Sequence, residues 1–197
     1  YRDFICVSAF GPDYLPAYYT NYGPGCNIIA PGGEAYLPPF DSMKGLVLST
    51  LCSETNGGED YGYMQGTSMA CPHVSGVIAL GLSYAQKLGK KFTREEFTSM
   101  LLAAANDIDG FNDGKTRTFY EMWVGTEEID MSKYKGQMGT GAVDAWKFLM
   151  AIEGTPSVMV KAGEKVVINL DEYLGSGVAA RLGCTVSVDE ATSKALG

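Results

Sequence analysis

Hydrophobic and polar positions alternate along this chain in blocks that predict a mixed α/β domain followed by a change of texture. Phe4 to Phe10 is almost wholly apolar, rich in strand formers and closed by Gly11-Pro12-Asp13. Such a run suits a strand buried on both faces, as in a parallel sheet covered by helices. Asn27 to Ala30 repeats the pattern before Pro31-Gly32-Gly33. Leu46 to Leu51 and Tyr61 to Gln65 flank a polar, turn-rich stretch, Glu54 to Asp60, and together predict a hairpin with a long loop.

From Ser68 to Lys87 the sequence is apolar nearly all round, with small residues at Gly76, Ala79 and Gly81. A helix apolar on every face is expected to be buried, with glycines where neighbours come close. Pro72 must lie in its first turn, which puts the start at about Thr67 or Ser68. Thr93-Arg94-Glu95-Glu96 is a capping-box signature, and Phe97, Met100, Leu101 and Ala104 follow at helical spacing. Residues 106–134 are polar and acidic, an exposed excursion with some strand content. Gly139 to Asp144 is expected to be a tight turn into a last short helix through Ala145, Phe148, Leu149 and Ile152. Gly154-Thr155-Pro156 marks a boundary. Beyond it Val158, Val160, Val166, Ile168 and Leu170 alternate with period two, the start of an all-β, sandwich-like module. The expected domains are therefore 1–153 and 154–197.

Composition narrows the function. With 23 acidic against 15 basic residues the formal charge is −8, which argues against nucleic acid, since phosphate binding rests on clustered Lys and Arg. Apolar runs stop at a handful of residues, so no membrane span of about 20 is expected. Five cysteines without a C-x-x-C pair and a single histidine cannot assemble a zinc site of ordinary spacing. At least one thiol stays unpaired. The acidic residues Asp107, Asp109, Asp113 and Glu121 lack EF-hand spacing. No metal and no cofactor are expected.

The chemistry concentrates at Gly66-Thr67-Ser68-Met69-Ala70-Cys71-Pro72-His73-Val74-Ser75-Gly76. A serine at the start of a helix sits beside unpaired backbone N–H groups, where the helix dipole stabilises developing negative charge. Taken one residue at a time, Ser68 or Thr67 would be an ordinary N-cap. The eleven-residue string says more. It resembles the catalytic-serine motif of the subtilisin-like serine peptidases, G-T-S-M-A-x-P-H-V-x-G. Tyr1 to Ala9 is similar to the buried strand that this family writes as Y-P-x-V-I-x-V-x-A. Tyr19-Thr20-Asn21-Tyr22-Gly23 and Asn27 to Gly32 resemble its S-N-Y-G and D-x-x-A-P-G segments, and Gly139 to Ala145 its G-x-G-x-V-N-A.

The resemblance spans about Tyr1 to Ile152 and implies the C-terminal half of such a catalytic domain, part of a three-layer fold around a parallel sheet. It implies that Ser68 is the nucleophile, that its own N–H is one oxyanion donor, and that Thr67 and Met69 are oxyanion- or substrate-adjacent positions, with Met69 on the leaving-group side. His73 corresponds to a helix residue of the motif. Five positions along a helix put it roughly 140° around and about 7.5 Å along the axis from Ser68, whereas a base must come within about 3 Å of the hydroxyl. The family's Asp, His and oxyanion Asn lie upstream of the serine, and none has a counterpart in this sequence. The expectation is a serine endopeptidase acting on peptide or protein substrates when complete, secreted or at the cell surface by kinship, but inactive as this chain alone. The isolated chain, lacking the N-terminal half as a partner, is expected to pair with itself. The alternative is a pseudoenzyme or cell-surface adhesion protein that uses the same scaffold.

Overall fold

The computed structural model describes residues 4–35, 42–121 and 125–154. The chain divides into two compact units, Tyr1–Glu153 and Gly154–Gly197. The expected β-module at 158–188 lies outside the described residues.

Two short strands, β1 (Val7–Phe10) and β2 (Ile28–Pro31), pair in parallel with Val7 opposite Ile28 and Phe10 opposite Pro31. Both are buried on successive positions, Ser8 included, because both of their faces are covered. Ala9, Ile28 and Ala30 join one core cluster, while Phe10 and Ile29 join a second on the opposite face. The first cluster is closed by α1 (Thr67–Lys87), α2 (Arg94–Ala103) and α4 (Ala145–Glu153), through Ala70, Val74, Ala85, Leu101, Phe148 and Ile152. This is the helix-on-sheet packing that the apolar runs call for.

The hairpin forms from β3 (Val47–Thr50) and β4 (Tyr61–Met64), antiparallel with Leu48 opposite Tyr63. A capping box starts α2: the Glu96 N–H donates to the Thr93 hydroxyl, and the Thr93 N–H donates to the Glu96 carboxylate at 2.7 Å. Gly81 lets α1 meet α4, since a Cβ there would stand 2.3 Å from a Phe148 ring carbon.

Three expectations change. The excursion at 106–134 has the expected strand content but is not exposed throughout. It folds into α3 (Asp109–Asn112) and a second antiparallel hairpin, β5 (Thr116–Glu121) with β6 (Gly125–Asp130), and it buries Ile108, Met131 and Tyr134 in the second core cluster. The segment at Gly139–Ala142 keeps the expected turn at Gly139 and Thr140, but it then runs alongside β2, with Ala142 bridged to Ile29. The Ile29 N–H donates to the Gly141 carbonyl and the Val143 N–H to the Ile29 carbonyl, both at 2.9 Å, so the segment extends the parallel sheet. Finally, α1 is not buried on every face. Ala70, Val74, Gly81 and Ala85 are covered, while Cys71, Pro72, Ala79, Leu80 and Leu82 face solvent, with Leu82 55% exposed. Among the described residues nothing covers that apolar side.

Candidate active site

Ser68 stands in the first turn of α1, and the backbone leading into that turn is unusual. Gly66 is the N-cap at φ 143° and ψ 163°, a conformation open in practice only to glycine, and it makes no side-chain cap bond. Neither Thr67 nor Ser68 is the cap. The Met69 and Ala70 amides donate back to the Gly66 carbonyl at 2.9 and 3.3 Å. The Thr67 and Ser68 amides find no such acceptor among the described residues, which leaves two donors at the positive end of a 21-residue helix.

The Ser68 side chain is exposed and lines an open cavity of about 600 Å³ with Val7, Thr67, Cys71, Pro72 and Ser75. Hydroxyl, free amides and helix dipole thus converge on one concave place. That arrangement can stabilise an oxyanion formed next to the serine. Met69 lies one position on, half-buried, and its carbonyl accepts a 2.7 Å bond from His73 Nδ1. This contact fixes the histidine tautomer, because a carbonyl can only accept. It also turns the ring back along its own helix. His73 therefore does not serve Ser68; it is exposed and bonded to its own helix, as its five-residue offset from the serine implies.

The turn is held from below by the end of β2 and by a tyrosine pair. The Gly66 N–H points at the Gly32 carbonyl, 2.9 Å away, and at the Tyr19 hydroxyl, 3.0 Å away. Tyr19 in turn donates to the Gly33 carbonyl. Burial is the main reason that its hydroxyl is pushed up to about 12, so it stays protonated at any working pH. A Cβ on Gly32 would stand 2.7 Å from that hydroxyl and 2.5 Å from the Ala9 Cβ, so only glycine lets these groups meet. Gln65, one residue before Gly66, donates to the Tyr18 hydroxyl at 2.9 Å and accepts from the Ala35 amide at 2.6 Å. Sequence reasoning placed Tyr19 inside a motif but gave it no role. Its partner Gly66 is 47 positions away, so no local pattern signalled one.

Two of the acidic residues considered as cation ligands, Asp109 and Asp113, are engaged elsewhere. The Asp109 carboxylate accepts from the Gly136 amide, and Asp113 pairs with Lys135 at 2.9 Å. Among the described residues no group of three or more His, Cys, Asp or Glu side chains could hold a metal ion. Cys6, Cys26, Cys52 and Cys71 are free thiols. No described helix is long and apolar enough to cross a membrane.

A parallel sheet under a helix that opens with an exposed serine and free amides defines an α/β domain with that serine at its helix start. The chain belongs to the subtilase family, whose model matches residues 1–135. It is 34% identical over 108 residues to the extracellular basic protease of Dichelobacter nodosus, an alignment covering 54% of this chain and 16% of that protein. It is 28% identical over 183 residues to pyrolysin of Pyrococcus furiosus, covering 86% of this chain and 11% of that one. A solved protease structure from Pseudoalteromonas arctica superposes with a TM-score of 0.51 at 30% identity, covering 75% of this chain and 35% of its own. The chain thus spans about a third of that structure and a smaller share of the curated relatives.

Proposed function

We propose that this chain carries the nucleophile of a serine endopeptidase, with Ser68 as the attacking residue. The observation that carries the reading is the exposed Ser68 hydroxyl beside two unpartnered helix-start amides, behind a glycine no other residue can replace. In the reaction the Ser68 Oγ forms a bond to the substrate's carbonyl carbon, and its proton passes to a histidine base. The carbonyl oxygen, now negative, is held by the Ser68 N–H. The C–N bond then breaks, the base gives its proton to the leaving amine, and water releases the acyl group by the same steps.

The base is supplied from outside this sequence, because the chain's one histidine is His73. We place the remainder of the catalytic domain against the uncovered face of α1 and the start of β1, which border the Ser68 cavity through Val7, Cys71 and Pro72. This chain alone is therefore inactive. Secretion is part of the proposal; relatives named as extracellular proteases support it.

Intact-mass analysis after treatment with a fluorophosphonate tests the reading. The full-length protein gains one label that Ser68→Ala abolishes, and the isolated chain gains none. A full-length protein that ignores the reagent, with Ser68 in place, would instead mark the domain as a scaffold without catalysis.

A further inference from the structure

We infer that Tyr19 is a positioning residue for the nucleophile: its hydroxyl, bonded to both the Gly66 amide and the Gly33 carbonyl, sets the direction in which the Ser68 N–H and hydroxyl point. The inference rests on the reading of Ser68 as nucleophile.

The argument starts from the backbone. Gly66 lies where φ of 143° is accessible, and such a residue can swing between several basins at little cost. The orientation of the next two peptide planes follows from which basin it occupies. Those planes carry the Thr67 and Ser68 amides. A turn that must aim an oxyanion donor therefore needs an external hold on Gly66, and a misplacement of about 1 Å in such a site can cost on the order of a hundredfold in rate.

Two acceptors share that amide. The Gly32 carbonyl ties it to the sheet, and the Tyr19 hydroxyl ties it to a side chain whose own proton goes to the next carbonyl along. The hydroxyl is thus a relay between the end of β2 and the start of α1. Its ring is half-buried, packed edge-on against Tyr18 at 5.1 Å and 81°. Tyr18 holds the side chain of Gln65, so consecutive tyrosines grip consecutive residues just before Thr67. The glycine at position 32 leaves the space that the Tyr19 hydroxyl occupies. A phenylalanine at position 19 would keep the ring and its packing while removing the bond to Gly66.

The experiment compares Tyr19→Phe, Ser68→Ala and Tyr22→Phe in the full-length enzyme, using a peptide substrate and a fluorophosphonate. Tyr22 belongs to the same segment, and its ring packs on Tyr134 without touching the turn. Tyr19→Phe is expected to lower kcat about tenfold, with KM within about twofold, a fluorophosphonate reaction slowed in step, and an unchanged thermal midpoint. Tyr22→Phe is expected to match the unmodified enzyme. Retained kcat in Tyr19→Phe overturns the inference while leaving Ser68 as nucleophile. So does a loss of kcat accompanied by a matching fall in thermal midpoint, since that marks a structural role only. Activity surviving in Ser68→Ala overturns the proposed function and this inference with it.

Discussion

Arg117 and Glu34 meet at 2.7 Å across 83 positions of sequence, with only 10% and 4% of their side chains facing water. The same guanidinium reaches Asp13 at 2.7 Å and donates to the Pro16 carbonyl. It fastens the β5–β6 hairpin to the loop that follows β2. Burial outweighs the attraction of Arg117 and pushes the Glu34 carboxyl up to about 7, with Asp13 adding repulsion.

The sign of the resulting pH dependence is fixed. Between about 4.5 and 7 the folded state holds a proton on Glu34 that the unfolded chain has released. This group's contribution is therefore fully present below pH 4.5 and is lost as pH rises through 7. Thermal midpoints of the unmodified chain and of Glu34→Gln, measured from pH 4.5 to 8, should differ in slope, with the variant flatter across that window. Parallel curves would show that Glu34 is ionised throughout.

Two glycines of α1 should behave oppositely. Gly81→Ala drives a methyl into Phe148 and should destabilise the chain by about 1–3 kcal/mol. A Cβ on Gly76 meets nothing within 4 Å, so Gly76→Ala should be neutral or stabilise the isolated chain by up to about 1 kcal/mol. In the full-length protein, with the α1 face covered, the same change should become harmful. Denaturant midpoints of both variants in both contexts check this; equal tolerance of Gly76→Ala in both would mean that nothing approaches that face.

Thr93→Ala removes the hydroxyl that accepts from Glu96 at the start of α2 and should cost about 1 kcal/mol, with Thr93→Ser close to neutral. Chemical denaturation resolves a difference of this size.

The open side of α1 carries Leu80 and Leu82, 49% and 55% exposed, and Phe4 beside β1 is 74% exposed. Unpaired strand edges and apolar faces drive association. Light scattering of the isolated chain should show dimers or larger species, reduced by Leu82→Lys. A monomer across the concentration range would rule this out.

The readable parts of this sequence were those in which neighbours decide the outcome. Periodicity and caps located α1, α2 and α4, and the string around Ser68 carried the family resemblance. The misread parts depend on residues far along the chain. Nothing near Gly139 signals that it will lie beside Asn27, whose carbonyl accepts from the Thr140 amide. Arg117 gives no local hint of Asp13 or Glu34. The burial of α1 is overread from its composition, since the described residues cover only one side of the helix. Tyr19 was legible as part of a motif, but its bond to Gly66 spans 47 positions and emerges only when β2 and α1 are laid together.

The fastening of Gly66 has a consequence for how such an enzyme is put together. Among the described residues, the groups that hold the serine's turn, from Tyr18 to Ala35, are covalently upstream of it within the same chain. On the proposed function, the nucleophile arrives with its posture set, and the segment that brings the base meets a finished surface. Joining the two resembles the seating of a key in a cut lock, and a split version of the enzyme would report on the meeting of its halves by the return of catalysis.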